Sequence, residues 1–151
     1  MAIKAAERMI RLASELKVRP YRPEDYRTAQ KWWLQHNQAH LEEFLLSDLG
    51  FVVEKDNPVA MGWLYLSNSK LSNLGWVVVN PEAGPKLRVA ALITVYRESE
   101  KMSRKMGYRA MQMLSDQPSL TKLMEVTGYK RIKSHDYMVK YLGAGEGLDD
   151  V

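Results

Sequence analysis

Leu74-Gly-Trp-Val-Val-Val79 is a continuous apolar run of the kind that forms a strand covered on both faces, and Asn80-Pro-Glu-Ala-Gly-Pro85 breaks it at once. The run belongs at the centre of a sheet. Beyond Pro85, Leu92, Val95, Tyr96, Ser99, Met102 and Met106 recur at helical spacing until Gly107, which closes a long helix. Tyr108 to Leu114 reads as the next strand. A helical crossover between two strands of one sheet makes them parallel, so 74–79 and 108–114 form a parallel pair.

Upstream, Phe51-Val-Val-Glu54 and Val59 to Ser67 read as a β-hairpin turned at Lys55-Asp-Asn-Pro58, with Asn57-Pro58 as the break and Asn68 to Asn73 as a polar loop into the central strand. Val18-Arg-Pro-Tyr21 is a short first strand. Arg22-Pro-Glu-Asp-Tyr26 opens a helix, with Pro23 in its first turn and Glu24 and Asp25 at its positive end. That helix carries Trp32, Trp33, His36 and His40, and Leu41 to Leu46 adds a short helical stretch. Met1 to Leu16 is an amphipathic helix with Ile3, Ala6, Met9, Ile10 and Ala13 on one stripe. Downstream, Ser119 to Thr127 is a short helix stopped by Gly128, and Tyr129 to Ile132 and Asp136 to Tyr141 are two last strands. The expected division is an N-terminal helix over 1–17, a domain over 18–142 and a mobile, glycine-rich acidic tail over 143–151. The expected fold class is α/β (mixed α+β): a mixed, mostly antiparallel sheet with a central parallel pair, flanked by helices.

Composition narrows the chemistry further. The 151 residues contain no cysteine, which excludes disulfides, thiolate catalysis and cysteine-held metals. No apolar run is long enough to span a bilayer, and Lys4, Glu7, Arg8, Arg11 and Glu15 interrupt the first helix, so a soluble, cytoplasmic protein is expected. The net charge of +4 is uneven: residues 97–140 carry +5 and the tail −3. A basic field of that size suits an anionic ligand, but no nucleic-acid motif accompanies it.

The order of elements between Val18 and Leu142, and the passage Trp76-Val-Val-Val-Asn-Pro-Glu82 leading into a long helix that ends in Met106-Gly-Tyr108, resemble the GCN5-related N-acetyltransferase (GNAT) superfamily. Gln117-Pro-Ser-Leu-Thr-Lys-Leu-Met-Glu-Val-Thr-Gly-Tyr129 is similar to that family's penultimate helix, and Tyr129 to Leu142 to its terminal hairpin. The resemblance implies an N-acetyltransferase that moves an acetyl group from acetyl-CoA to a primary amine, borne by a small molecule or a protein. Direct attack is implied, since no cysteine is available for an acyl-enzyme. It further implies that Val77 and Val79 offer backbone groups to the pantetheine arm and that Lys86, Leu87, Arg88 and Val89 hold the pyrophosphate at the start of the long helix. Three glycines of the family's loop fall on Pro85, Leu87 and Val89 here, with Gly84 alone nearby, and Lys86 and Arg88 supply charge in their place. The family's thiolate-protonating tyrosine falls on Met124. Glu54, Glu82, Tyr65 and Tyr137 are the remaining candidates for acid and base, of which Tyr137 and Glu82 are taken as catalytic.

The resemblance implies that the second helix flanks the acceptor cleft; that helix brings Trp32 and Trp33, adjacent and so divergent, one expected in the core and one exposed as an acceptor contact. His36 and His40 stand four apart, a spacing that lets two imidazoles share a metal, but no third ligand accompanies them and no metal is expected. The second reading of the same features is a GNAT-fold module without catalysis, kept for binding or assembly. That reading includes homo-oligomers and a structural component of a phage particle, which would place the protein in a virion.

Overall fold

A computed structural model describes residues 2–38, 40–114, 118–132, 140 and 142. Five strands, β1 (Lys17–Pro20), β2 (Gly50–Lys55), β3 (Asn57–Tyr65), β4 (Leu71–Val79) and β5 (Ala110–Met113), lie in chain order in one sheet. Among the described residues four α-helices accompany them: α1 (Ala2–Ser14), α2 (Tyr26–Gln35), α3 (Pro85–Lys105) and α4 (Pro118–Val126). Successive strands β1 to β4 pair antiparallel, and β4 with β5 parallel, as the crossover helix α3 requires. The chain forms two compact units, 1–114 and 115–151; the sheet and α1 to α3 belong to the first, α4 to the second.

Strand alternation sorts the core into two layers. Val52, Met61, Trp63 and Val78 cluster with Ala29, Trp32, Trp33 and Leu41 on the α2 face. On the opposite face Gly62 lies under α3. A β-carbon there would stand 2.7 Å from Val95 Cγ1, so the missing side chain is what lets the helix approach. Buried Ser72 and Ser103 share a hydrogen bond of 2.8 Å that ties β4 to the far end of α3.

Several expectations need correction. The polar loop is shorter than read, because β4 already begins at Leu71. Asn57 and Pro58 lie inside β3, and the hairpin turns at Asp56 (φ 64°), so Asn57-Pro58 is not the break. Leu41 to Leu46 contains only a 3₁₀ turn at Glu43–Leu45. β5 stops short of both Tyr108 and Leu114, and Tyr129 to Ile132 is irregular rather than a strand. Ile10, placed on the buried stripe of α1, is exposed, whereas Leu12 and Ala13 are half-buried. The strand read at Asp136 to Tyr141 and the tail 143–151 lie outside the described residues, apart from Lys140 in the former.

Candidate functional site

β4 is the element from which a site can be built, because it is only half paired on its far side. β5 covers Leu71 to Leu74, and from Gly75 to Val79 that edge has no neighbouring strand among the described residues. The opening coincides with a β-bulge. Two steps of β3, Met61 to Trp63, face three steps of β4, Val78 to Gly75, so β4 carries one extra residue. Trp76 absorbs it with φ 58°, a left-handed backbone that costs a bulky residue about 1–3 kcal/mol. The kink changes which way the strand points its side chains: Val77 joins Leu74 beside Gly62, and Trp76 joins the α2 layer.

Backbone polarity along this edge follows from the ladder. Asn80 N–H donates to the Val59 carbonyl at 2.7 Å, and pairs alternate in an antiparallel ladder, so Met61 and Val78 exchange the next hydrogen bonds. Val77 and Val79 therefore turn their N–H and C=O groups toward the open edge. Two carbonyls of the segment are already engaged by α2. Trp33 Nε1–H donates to Trp76 O at 3.2 Å, and His36 Nε2 meets Val79 O at 2.8 Å.

How α2 comes to reach there is local chemistry. The Asp25 carboxylate accepts from the two terminal guanidinium nitrogens of Arg19, at 2.7 and 2.8 Å, and from the Arg22 N–H at 2.9 Å, which fixes the start of the helix. Those bonds from Arg19, opposed by burial, hold the Asp25 carboxyl below its usual range. Glu54 closes the group at 3.2 Å from Arg19 Nε. At the other end Asn37 adopts φ 57°, with Asn37 N–H on Leu34 O and Gln38 N–H on Trp33 O, a Schellman closure. The helix therefore stops at Gln35, and His40 is not on it. His40 is held instead by Gln30 and by Glu42, the latter at 3.4 Å. The two histidines do not share a site, and no cluster of three metal-ligating side chains exists among the described residues.

Both tryptophans are buried, at 4% and 2% exposure, so the expected split into one core and one exposed ring is wrong. A helix lying flat on a sheet buries a stripe at least 100° wide, which spans two consecutive residues. Trp33 stacks obliquely on Trp63 at 5.5 Å, and Tyr21 meets Trp63 edge-on at 5.2 Å. Burial pushes the Tyr21 phenol up to about 12, with Glu43 and Asp25 adding to the effect.

At the far end of the edge, Asn80 Oδ1 accepts the Glu82 N–H at 3.0 Å and turns the chain toward α3, whose N-cap is Gly84. Pro85 at the first helical position has no N–H, and the Arg88 N–H is taken by Gly84 O at 2.9 Å. Lys86 and Leu87 are left with N–H groups that no helical carbonyl precedes. The N-cap, Gly84, has no side chain with which to cap this end. Leu12 of α1 joins Gly84, Pro85, Lys86 and Leu87 in lining a cavity of about 450 Å³ at this helix start. Lys86 is exposed, and Leu87, Arg88 and Val89 are half-buried on the same turn. Glu82 is exposed on the connecting turn, away from the bulge, and Tyr137 lies outside the described residues. Of the other candidates, Glu54 is committed to Arg19, and the Tyr65 hydroxyl donates to Leu45 O at 2.6 Å. Met124 is buried on α4 and carries no proton to give.

The open edge, the bulge and the bare helix start thus follow one another along a single segment, 75–88. Sequence reasoning singled out Val77, Val79 and residues 86–89 on this segment; it did not single out Leu12 or the conformation of Trp76, and it weighed His36 only as a metal ligand. Asn37, a residue that commonly ends helices, was the available signal that His36 and His40 part company.

No protein-family model matches the chain, and no curated protein matches it. Solved structures do. A GNAT family acetyltransferase from Brucella melitensis in complex with acetyl-CoA aligns with a TM-score of 0.55 at 18% identity, over 77% of this chain and 83% of that one. AAC(6')-Iy in complex with a bisubstrate analogue of CoA and acetylneamine aligns with a TM-score of 0.61 at 13% identity, over 84% and 99%. The ribosomal-protein-S18-alanine N-acetyltransferase from Escherichia coli gives 0.59 at 15% identity, over 75% and 76%. The fold of this chain is the GNAT fold.

Proposed function

We propose that this chain is an acyl-CoA-dependent N-acetyltransferase acting on a primary amine, with the 75–88 segment as its cofactor site. The observation that carries the reading is the continuity of an outward-facing backbone edge with an uncapped helix start. The first suits the amides of an extended pantetheine arm and the second suits a pyrophosphate. Val77 would bond the arm through its outward N–H and C=O, and Val79 through its N–H, its carbonyl being held by His36. Lys86 and Leu87 would give their free N–H groups to the phosphates, and the Lys86 and Arg88 side chains would add charge where Pro85 has removed a donor. When bound, acetyl-CoA supplies an activated acyl group as a thioester. The protein's part is to place that carbonyl against backbone donors at the bulge and to bring the amine within reach, which lowers the barrier through position and electrostatics. Trp32 and Trp33 would act as the packed floor of the acceptor side, and Glu82 and Tyr137 are retained as proton-handling candidates.

Calorimetric titration with acetyl-CoA and with free CoA tests the reading. A saturable heat is expected, weakened about tenfold or more by the double charge reversal Lys86→Glu with Arg88→Glu, as loss of two charge-assisted contacts implies. No heat and no thermal shift at millimolar ligand would favour the non-catalytic module, which the missing loop glycines and Met124 also fit.

A further inference from the structure

His36 is the one titratable side chain seen to touch the backbone of the open edge among the described residues, and its geometry fixes its chemistry. Its partner, the Val79 carbonyl 2.8 Å from Nε2, can only accept, so Nε2 must carry the hydrogen. In the neutral ring the lone pair is then confined to Nδ1. The ring is half-buried and forms no ion pair among the described residues. Its position is doubly held, by the bond to β4 and by the Schellman closure that follows directly at Asn37 and Gln38. Sequence reading left the site without a base on the central strand. A tautomer-locked imidazole stands beside that strand, on the residue that caps α2.

We propose that His36 is the general base of this site, receiving at Nδ1 the proton that the acceptor ammonium must lose. The inference rests on the acetyltransferase reading above. In balance, one ammonium N–H proton passes to Nδ1, the freed nitrogen lone pair forms the N–C bond at the acyl carbon, the C–S bond breaks with its electron pair leaving on sulfur, and the second proton shed by the nitrogen as it becomes an amide ends on that thiolate to give the CoA thiol. Anchoring Nε2–H on a backbone carbonyl does for this ring what a carboxylate does for the histidine of a catalytic triad: it selects the tautomer and steadies the imidazolium.

The test pairs a direct view of the ring with a substitution that keeps its anchor. Long-range ¹H–¹⁵N NMR of the free protein reads the tautomer without any ligand. Nε2–H with unprotonated Nδ1 is expected in neutral His36, and an Nδ1–H tautomer overturns the proposal. His36→Gln retains an N–H donor for Val79 O, so its thermal midpoint and its calorimetric affinity for CoA should match the parent. Its turnover of acetyl-CoA, followed by thiol release on the primary amine that serves the parent best among lysine, spermidine and a short peptide, should fall about 10²- to 10³-fold. The acidic limb of kcat/KM against pH should vanish with it. Parent-like turnover by a His36→Gln protein that binds CoA normally would overturn the base and leave the acetyltransferase reading standing. Failure of the parent itself to bind CoA would overturn both.

Discussion

Trp76 and Gly62, on the two strands that meet at the bulge, show how single residues set this site. Trp76 accepts a left-handed backbone that glycine would take at no steric cost, and Gly75, its neighbour, does not adopt it. The tryptophan is kept in place by its ring in the α2 layer and by Trp33 on its carbonyl. Nothing in the letters Gly-Trp-Val announces this, which is why the strand was legible as a strand but not as a bent one. Gly62 is the opposite case, a residue whose absence of side chain sets a spacing. Gly62→Ala should destabilise by about 1–3 kcal/mol through overpacking against Val95. Gly84→Ala, where an added β-carbon would meet nothing within 4 Å and φ is −59°, should stay within about 0.5 kcal/mol. Urea unfolding of both variants checks the contrast, and equal losses would mean that α3 is not seated by Gly62.

At the level of elements, the three helix ends explain most of what was read and misread. α3 and α4 close on Gly107 and Gly128 with φ of 86° and 103°, and each has the paired backbone bonds of a Schellman motif. Both ends were legible because glycine advertises the left-handed residue. α2 closes in the same way on Asn37, a weaker advertisement, and the overlooked stop put His40 on the same helix as His36 in the sequence reading. The start of α2 offers a pH test. Asp25 has a lowered pKa, so the stability it confers is present above its unfolded value near 3.8 and is lost as pH falls through the lower, folded one. Asp25→Asn should cost about 1.5–3 kcal/mol at neutral pH, the range for hydrogen bonds to a charged group, and the difference from the parent should shrink toward acid. Denaturant melts between neutral and strongly acid pH measure this. A gap that does not narrow would show that the Arg19 contact is not acting through charge.

For the molecule as a whole, the parallel pair, the crossover helix and the mostly antiparallel sheet were legible because hydrophobic periodicity and chain order determine them. The site was legible only where a local pattern, Asn-Pro-Glu before a helix, marks it; its remaining wall comes from α1 and α2, distant in sequence and joined to it only by folding. Charge at this scale also makes a prediction. Because Lys86 and Arg88 would meet the polyanionic end of CoA, affinity should weaken severalfold between about 0.05 and 0.5 M salt, while acetyl-pantetheine, lacking those phosphates, should be insensitive. Titrations of the two ligands across that range decide it, and equal sensitivity would remove the phosphates from the helix start. The open edge of β4 bears on solubility as well. A bare strand edge is a template on which another chain can add, but templating needs an unbroken comb of alternating donors and acceptors. Here the strand bends at Trp76, and the Trp76 and Val79 carbonyls are already stoppered by indole and imidazole hydrogens. The slot can stay open to a small ligand without inviting a second copy of the chain to stack against it, and loosening Trp33 or His36 would expose the protein to that form of self-association.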